Sequence, residues 1–171
     1  MIADLVDLSR LRRGRLFLQL DTVDLRIVID AALEAVAVTA GSRGIKVVAE
    51  VLCGCPPVRG DAVRLQQIVS NLLGNAMTHS DYGTTVNVTL DTVGAAARIV
   101  VRDEGQGIAP ELLPHVFEPY RQGNGHAARS GLGLGLAIVH QLVELHGGCV
   151  EASSPGVGQG ACLTVLLPMT R

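Results

Sequence analysis

Apolar residues in the stretch after Asp61 fall at Leu65, Ile68, Val69, Leu72, Leu73 and Ala76, three and four positions apart. That spacing puts them on one stripe of a helix, so "AVRLQQIVSNLLGNAMTH" is expected to be helical, with the stripe buried and Asp61 at its N-cap. A second helix is predicted from Leu25 to Ala40, opened by Asp24 and closed by Gly41. A third runs from Leu134 to His146 and stops at "GG". Between the helices the apolar runs are short or alternate with period two. "RLFLQL" and "IKVVAEV" read as strands, the latter broken by "LCGCPP". "TTVNVTL" and "ARIVVRD" read as an antiparallel hairpin about Asp91 to Gly94, and "CVEASS" and "ACLTVLLP" as a last pair around "PGVGQG". Helices over one face of a mixed, mostly antiparallel sheet make an α/β two-layer sandwich.

Two stretches fall outside this pattern. Residues 1–13 carry Ile2, Leu5, Val6, Leu8 and Leu11 at nearly helical spacing and then meet Gly14, which reads as the tail of a helix whose partner lies elsewhere. Residues 104–130 hold glycines, prolines and scattered charges with little periodicity. A loop of that length inside a compact domain is usually functional.

Composition narrows the partners. The 171 residues suffice for one domain, or one domain with a short appendage. With 14 Lys+Arg against 16 Asp+Glu there is no broad basic surface, so neither nucleic acid nor direct membrane contact is expected. Aromatic residues are only 2% of the chain, so the core must be built from Val, Leu, Ile and Ala. No run approaches the roughly eighteen apolar residues of a membrane span, and "MIADLVDLSRLRRGR" lacks the features of a secretory signal, so a soluble cytoplasmic segment is expected. Cys53, Cys55, Cys149 and Cys162 fit neither a zinc ribbon nor a disulfide framework.

Three constellations carry chemistry. Asn71 and Asn75 lie four apart, on one side of their helix. They are either a polar solvent face or carboxamides able to ligate Mg²⁺ without adding charge, alongside phosphates. Asp103 ends a strand and is followed by Gly105 and Gly107. That is a turn, or a carboxylate accepting from an exocyclic amine such as adenine N6 beside backbone kept clear for a flat ring. "SGLGLGLAIVHQLVELHGG" begins its helix with Gly131, Gly133 and Gly135, although glycine in a helix costs about 1 kcal/mol relative to alanine. A seam for close packing explains one such glycine; glycine amides wrapping phosphate at a helix N-terminus explain all of them. Neither a Walker loop nor a dinucleotide fingerprint matches.

In this order and spacing, N-x-x-x-N-A, D-x-G-x-G-I, F-E-P and G-x-G-L-G-L resemble the N box, first glycine box, F box and second glycine box of sensor histidine kinases. These belong to the ATPase superfamily shared with DNA gyrase, heat-shock chaperone ATPases and mismatch-repair proteins. The resemblance implies a Bergerat-type ATP-binding fold over residues 21–171, preceded at 1–20 by the end of a dimerisation helix and its linker. It implies ATP and Mg²⁺ as cofactors, with Asn75 as metal ligand, Asn71 beside the phosphates, and these two asparagines as the catalytic pair. Asp103 would read adenine, and Gly105, Gly107 and Ile108 would wall the base pocket. Gly131, Leu132, Gly133, Leu134 and Gly135 would hold the phosphates. Residues 109–130 would form the ATP lid, with Phe117 packing toward the dimerisation helices and Tyr120 and Arg121 near the nucleotide. Thr78 stands where a basic residue is common, so His79, Arg121 or Arg129 would supply that contact. Ala161 stands where a Thr is common, near Asp103.

The implied activity is transfer of the ATP γ-phosphoryl group to a histidine. None of His79, His115, His126, His140 and His146 has the family's H-E-x-x context, so the acceptor is expected on a dimerisation domain outside this chain. For His140 and His146 a structural place on their helix is expected. Gyrase-like relatives place a Glu base on the asparagine helix; Asn71 in its stead favours transfer to imidazole over hydrolysis. The implied partners are the dimerisation and phosphoacceptor domain of the same kinase and a response regulator receiver domain, with a dimer only in the full-length protein. Localisation would be cytoplasmic, including as the cytoplasmic part of a membrane-bound sensor. Two other readings are a Ser/Thr-directed anti-sigma kinase of the same fold, against which "VDLSRL" argues, and a catalytically silent nucleotide-binding or docking module.

Overall fold

The structure, a computed structural model, describes residues 16–51, 54, 56–121 and 133–170. Helices α1 (Leu25–Ser42) and α2 (Ala62–His79) start where an aspartate supplies the missing acceptor for first-turn amides. Asp24 accepts from the Arg26 N–H at 2.9 Å, and Asp61 from those of Val63 and Arg64 at 3.1 and 3.2 Å. Gly41 does not end α1, which runs to Ser42; the left-handed residue that turns the chain is Gly44, at φ +60°. Helix α3 spans Gly135–Leu145, with His146 as its C-cap.

Among the described residues, seven strands fall into two sheets. Strands β2 (Lys46–Val51), β4 (Thr85–Val93), β5 (Ala96–Asp103), β6 (Cys149–Ser153) and β7 (Ala161–Pro168) form one, in the order β2-β4-β5-β7-β6. Only the β2–β4 pair is parallel, and α2 lies in the long connection that a parallel pair requires. Strands β1 (Asp21–Val23) and β3 (Val58–Gly60) pair antiparallel as a small second sheet. The three central strands of the main sheet, β4, β5 and β7, alternate: Val86, Val88 and Leu90, Ala97, Ile99 and Val101, and Leu163, Val165 and Leu167 are buried, while Asn87, Thr89, Arg98, Arg102 and Thr164 take intervening positions. The buried set joins the α2 stripe Leu65, Ile68, Val69, Leu72 and Leu73 in one core with α1 and α3. Each such side chain contributes about 1.5–3 kcal/mol on burial, so α2 is anchored firmly by the face opposite its asparagines. The expected sandwich is the one found.

Several boundaries differ. The described part of "RLFLQL", residues 16–20, is irregular, and the strand begins at Asp21. Alternation there reflects two separate attachments: Leu16 packs on the core, and the Gln19 N–H donates to the Asp61 carboxylate at 3.0 Å. Strand β3 is three residues long, too short to show a period, and is held by β1 beside it and by a bridge from Val58 to Met169. The β4–β5 hairpin is longer than expected and turns at Gly94 and Ala95; Asp91 lies within β4, paired with Arg98 on β5 (Nε to Oδ1 2.7 Å). The long loop contains one 3-10 turn, Leu113–His115. The expected helix at 1–13, Cys53 and Cys55, residues 122–130 of the expected lid, and Gly131 and Leu132 lie outside the described residues.

Candidate functional site

Asp103 is the last residue of β5, held between β4 and β7 and only 5% exposed. Its Oδ1 accepts two backbone N–H groups, from Gly105 at 2.9 Å and Ala161 at 3.2 Å. Among the described residues its Oδ2 accepts none. Burial pushes this carboxyl above the usual carboxylate range, opposed by those two amide bonds and by the positive charge of nearby His79. The arrangement is a fixed, buried carboxylate with one free acceptor oxygen.

The glycines around it leave no room for a side chain. A Cβ on Gly105 would lie 2.1 Å from the His79 carbonyl oxygen, and one on Gly107, at φ +65°, 2.0 Å from that of Gly156. Gly160, at φ +71°, sits equally close to the carbonyl of Asp103. Hydrogen bonds lock these segments: Gln106 N–H to His79 O at 2.9 Å, Gly158 N–H to Gln106 O at 2.6 Å and Gly160 N–H to Gly105 O at 3.0 Å. Ser154 completes the corner by accepting from the Ile108 N–H at 3.0 Å and donating to Gly160 O at 2.7 Å. Ser154, Gly156 and Gly160 were not expected in the site. "SSPGVGQG" is legible as a turn, but nothing in it says that the turn backs onto Gly107.

The other end of the site is the start of α3. Unlike α1 and α2, this helix has no side-chain cap among the described residues: Leu134 occupies the N-cap position. Its first-turn amides therefore keep their donors free, with the positive end of the helix dipole behind them. Asn71 Nδ2 donates to the Gly135 carbonyl at 3.3 Å, which ties α2 to this helix start. Asn75 is half-buried one turn further along α2. Gly133 and Gly135 differ in what they need. Gly133 adopts φ +65° with its Cα against the Arg121 backbone, whereas a Cβ on Gly135 would meet only Asn71 Cγ at an ordinary 4.0 Å. Gly133 O accepts from the Tyr120 N–H at 2.9 Å, so Tyr120 does adjoin the glycine run, with its own backbone at φ +64°. The Arg121 guanidinium is engaged by Glu118 at 2.8 Å.

Other expected residues are turned inward. Thr78 Oγ1 bonds back to Gly74 O at 2.7 Å. Phe117 packs against the core of its own domain and tilts on the His140 ring, 5.6 Å between centroids. His146 is buried with both ring nitrogens used: Nδ1 donates to Leu142 O at 2.7 Å and Nε2 accepts from the Asp61 N–H at 3.1 Å. It is a structural, neutral imidazole.

Residues 60–171 match the family of histidine kinase-, DNA gyrase B-, and HSP90-like ATPases. The chain belongs to that family. Within it, the Caulobacter vibrioides histidine protein kinase DivJ is 35% identical over 170 residues, 99% of this chain and 28% of DivJ. The Escherichia coli sensor histidine kinase ZraS is 36% identical over 152 residues, 89% of this chain and 32% of ZraS. Among solved structures, full-length ShkA in complex with AMPPNP is 31% identical with a TM-score of 0.84, covering 96% of this chain and 34% of ShkA. The chain thus spans roughly a third of these kinases and carries their ATP-binding catalytic domain. Among the described residues, no helix is long and apolar enough to cross a membrane.

Proposed function

We propose that this chain holds ATP with Mg²⁺ and delivers the γ-phosphoryl group to a histidine imidazole on a dimerisation domain, in a cytoplasmic two-component pathway ending at a response regulator receiver domain. The observation that carries the reading is Asp103: a buried carboxylate whose Oδ1 is saturated by backbone and whose Oδ2 is free, in a cradle that only glycines permit. A free, fixed acceptor at a buried place selects a donor, so a 6-amino purine is accepted and a 6-oxo purine is opposed. Gly105 and Gly107 lie close against the backbone of His79 and Gly156, and so build the frame that holds this carboxylate in place. The uncapped start of α3 faces its free amides to the phosphates, as helix N-termini do for anions.

The residues present also fit a divalent cation. Among the described residues no three His, Cys, Asp or Glu side chains converge. Asn75 offers a neutral carboxamide oxygen, which suits Mg²⁺ shared with ligand phosphates. When bound, Mg²⁺ neutralises charge on the phosphate oxygens. Asn71 positions the Gly135 turn, and being an amide it cannot take a proton from water. A neutral imidazole nitrogen attacks through its lone pair without a base, so this site suits transfer to histidine better than hydrolysis.

The test combines titration of the chain with ATP, with and without Mg²⁺, and incubation with radiolabelled ATP and a histidine kinase dimerisation domain. Mg²⁺-dependent binding, negligible label on the chain alone and acid-labile label on the added domain are expected. Acid-stable label would assign a Ser/Thr kinase instead, and absence of ATP binding would refute the reading.

A further inference from the structure

Asp61 does more than cap a helix. Its Oδ1 accepts the Val63 and Arg64 amides, while its Oδ2 accepts the Gln19 N–H at 3.0 Å, from the segment that precedes β1. Its own N–H donates to His146 Nε2 at 3.1 Å, at the C-terminal end of α3. One residue, 9% exposed, therefore joins three pieces of chain separated by 42 and 85 positions. The joint is close-packed: a Cβ on Gly60 would lie 2.6 Å from Leu65 Cδ1 and 3.0 Å from His146 Cδ2.

The same two helices are tied again midway along α2, at the start of α3. Asn71 on α2 donates to Gly135, the first residue of α3, beside the free amides of the candidate phosphate site. Helices α2 and α3 thus run antiparallel as a pair, pinned by Asp61–His146 where α2 starts and α3 ends, and by Asn71–Gly135 midway along α2 where α3 starts. A shift of one along the other must strain both pins, because packed helices slide in steps rather than continuously.

We propose that Asp61 is a positioning residue that couples the segment at 16–20 to the nucleotide site through the α2–α3 pair. The inference rests on the nucleotide-binding reading above. Coupling between two sites is reciprocal: if nucleotide tightens the Gln19–Asp61 bond by some factor, breaking that bond weakens nucleotide binding by the same factor. The segment is the entry to the domain, so its attachment reports whether the nucleotide helices are in register.

The substitution Asp61→Asn separates coupling from capping. Asparagine is as good an N-cap as aspartate, but with its oxygen on Val63 and Arg64 it presents an NH₂ to the Gln19 N–H, donor against donor. Amide hydrogen exchange and nucleotide titration are measured on the wild-type chain and on Asp61→Asn, with and without saturating ATP and Mg²⁺. In the wild type, ATP should slow exchange at Gln19 by about five- to tenfold. In Asp61→Asn, that amide should exchange freely and indifferently to ATP, with Kd raised by the same factor. A wild-type chain that binds ATP while Gln19 exchange stays constant overturns the coupling and leaves the nucleotide reading standing. So does an Asp61→Asn chain with Gln19 released and Kd unchanged. If Asp61→Asn does not fold, Asp61→Ser keeps a cap without a second oxygen, and the wild-type exchange result decides in any case. A wild-type chain that binds no ATP fails earlier, in the titration, and takes both readings down.

Discussion

Replacing Asp103 by asparagine should change what the site recognises without disturbing how it is built. The side chain keeps its shape, and its oxygen can still accept the Gly105 and Ala161 amides that now meet Oδ1 at 2.9 and 3.2 Å. The atom that changes is Oδ2, which becomes an NH₂ pointing where the adenine amine would donate. A hydrogen bond to a charged partner contributes about 1.5–3 kcal/mol, so ATP affinity should fall roughly 10- to 150-fold. The same NH₂ can donate to a 6-oxo group, so the affinity for inosine triphosphate should hold or rise. Stability moves the other way. Burial raises the folded-state carboxyl pKa above its unfolded value, so its favourable contribution is full below that unfolded value and is lost as pH rises through the folded one. Asp103→Asn removes this loss: relative to wild type, the apo variant should gain stability across that acidic window and keep the gain at neutral pH. Calorimetric titration with both nucleotides and urea melts of the apo protein at several pH values read these effects. Unchanged ATP affinity would remove Asp103 from the site; loss of affinity together with a large drop in apo stability would make its role structural.

Gly107→Ala should destabilise the apo domain by roughly 2–4 kcal/mol in urea unfolding, since the new carbon meets a carbonyl oxygen at 2.0 Å on a backbone at φ +65°. Gly135→Ala makes the opposite trial, because its Cβ meets only Asn71 Cγ at 4.0 Å: the melting temperature should hold or rise while ATP affinity falls several-fold, and unchanged affinity would show that phosphate does not approach there. His146→Leu leaves the buried Asp61 N–H without its partner, while Leu142 O keeps the backbone N–H of residue 146, and should cost about 1–3 kcal/mol in unfolding free energy, a loss below about 0.5 kcal/mol meaning that the Asp61 bond is not buried in solution.

Helices α1 and α2 were legible in the sequence because each is written twice, once as an apolar stripe and once as a cap. Asp24 and Asp61 mark starts to the residue, and Leu65 through Ala76 mark the buried face. Helix α3 was legible from its apolar stripe and the glycine run before it; that Leu134 stands uncapped at its start is what the structure adds. Asp103 and the glycines after it were legible as a strand end followed by an exceptional backbone. What was hidden depends on residues far apart in the chain. The strand β3 is held by β1 and by a bridge from Val58 to Met169, the Gln19 amide finds Asp61 across 42 positions, and Ser154 reaches Ile108 across 46. Gly133 also differs from its sequence reading: its positive φ and the Arg121 carbonyl that a Cβ would meet at 2.9 Å account for it locally, so of the two described glycines of the run only Gly135 is free of such a demand.

The pairing of β5 with β7 bears on the order in which the chain acquires its activity. Strand β5 follows β4 after a two-residue turn, so the hairpin bearing Asp103 is a local structure that forms quickly. The second amide on Asp103 comes from Ala161, 58 residues later, across a segment that includes the long loop and α3. Such a contact closes late, because the entropy of a large loop must be overcome before any of its contacts form. A nascent or refolding chain therefore holds its β4–β5 hairpin before its carboxylate is fixed. The second bond on Asp103 then arrives with the docking of β7, so the site is completed by that long-range pairing rather than by the hairpin.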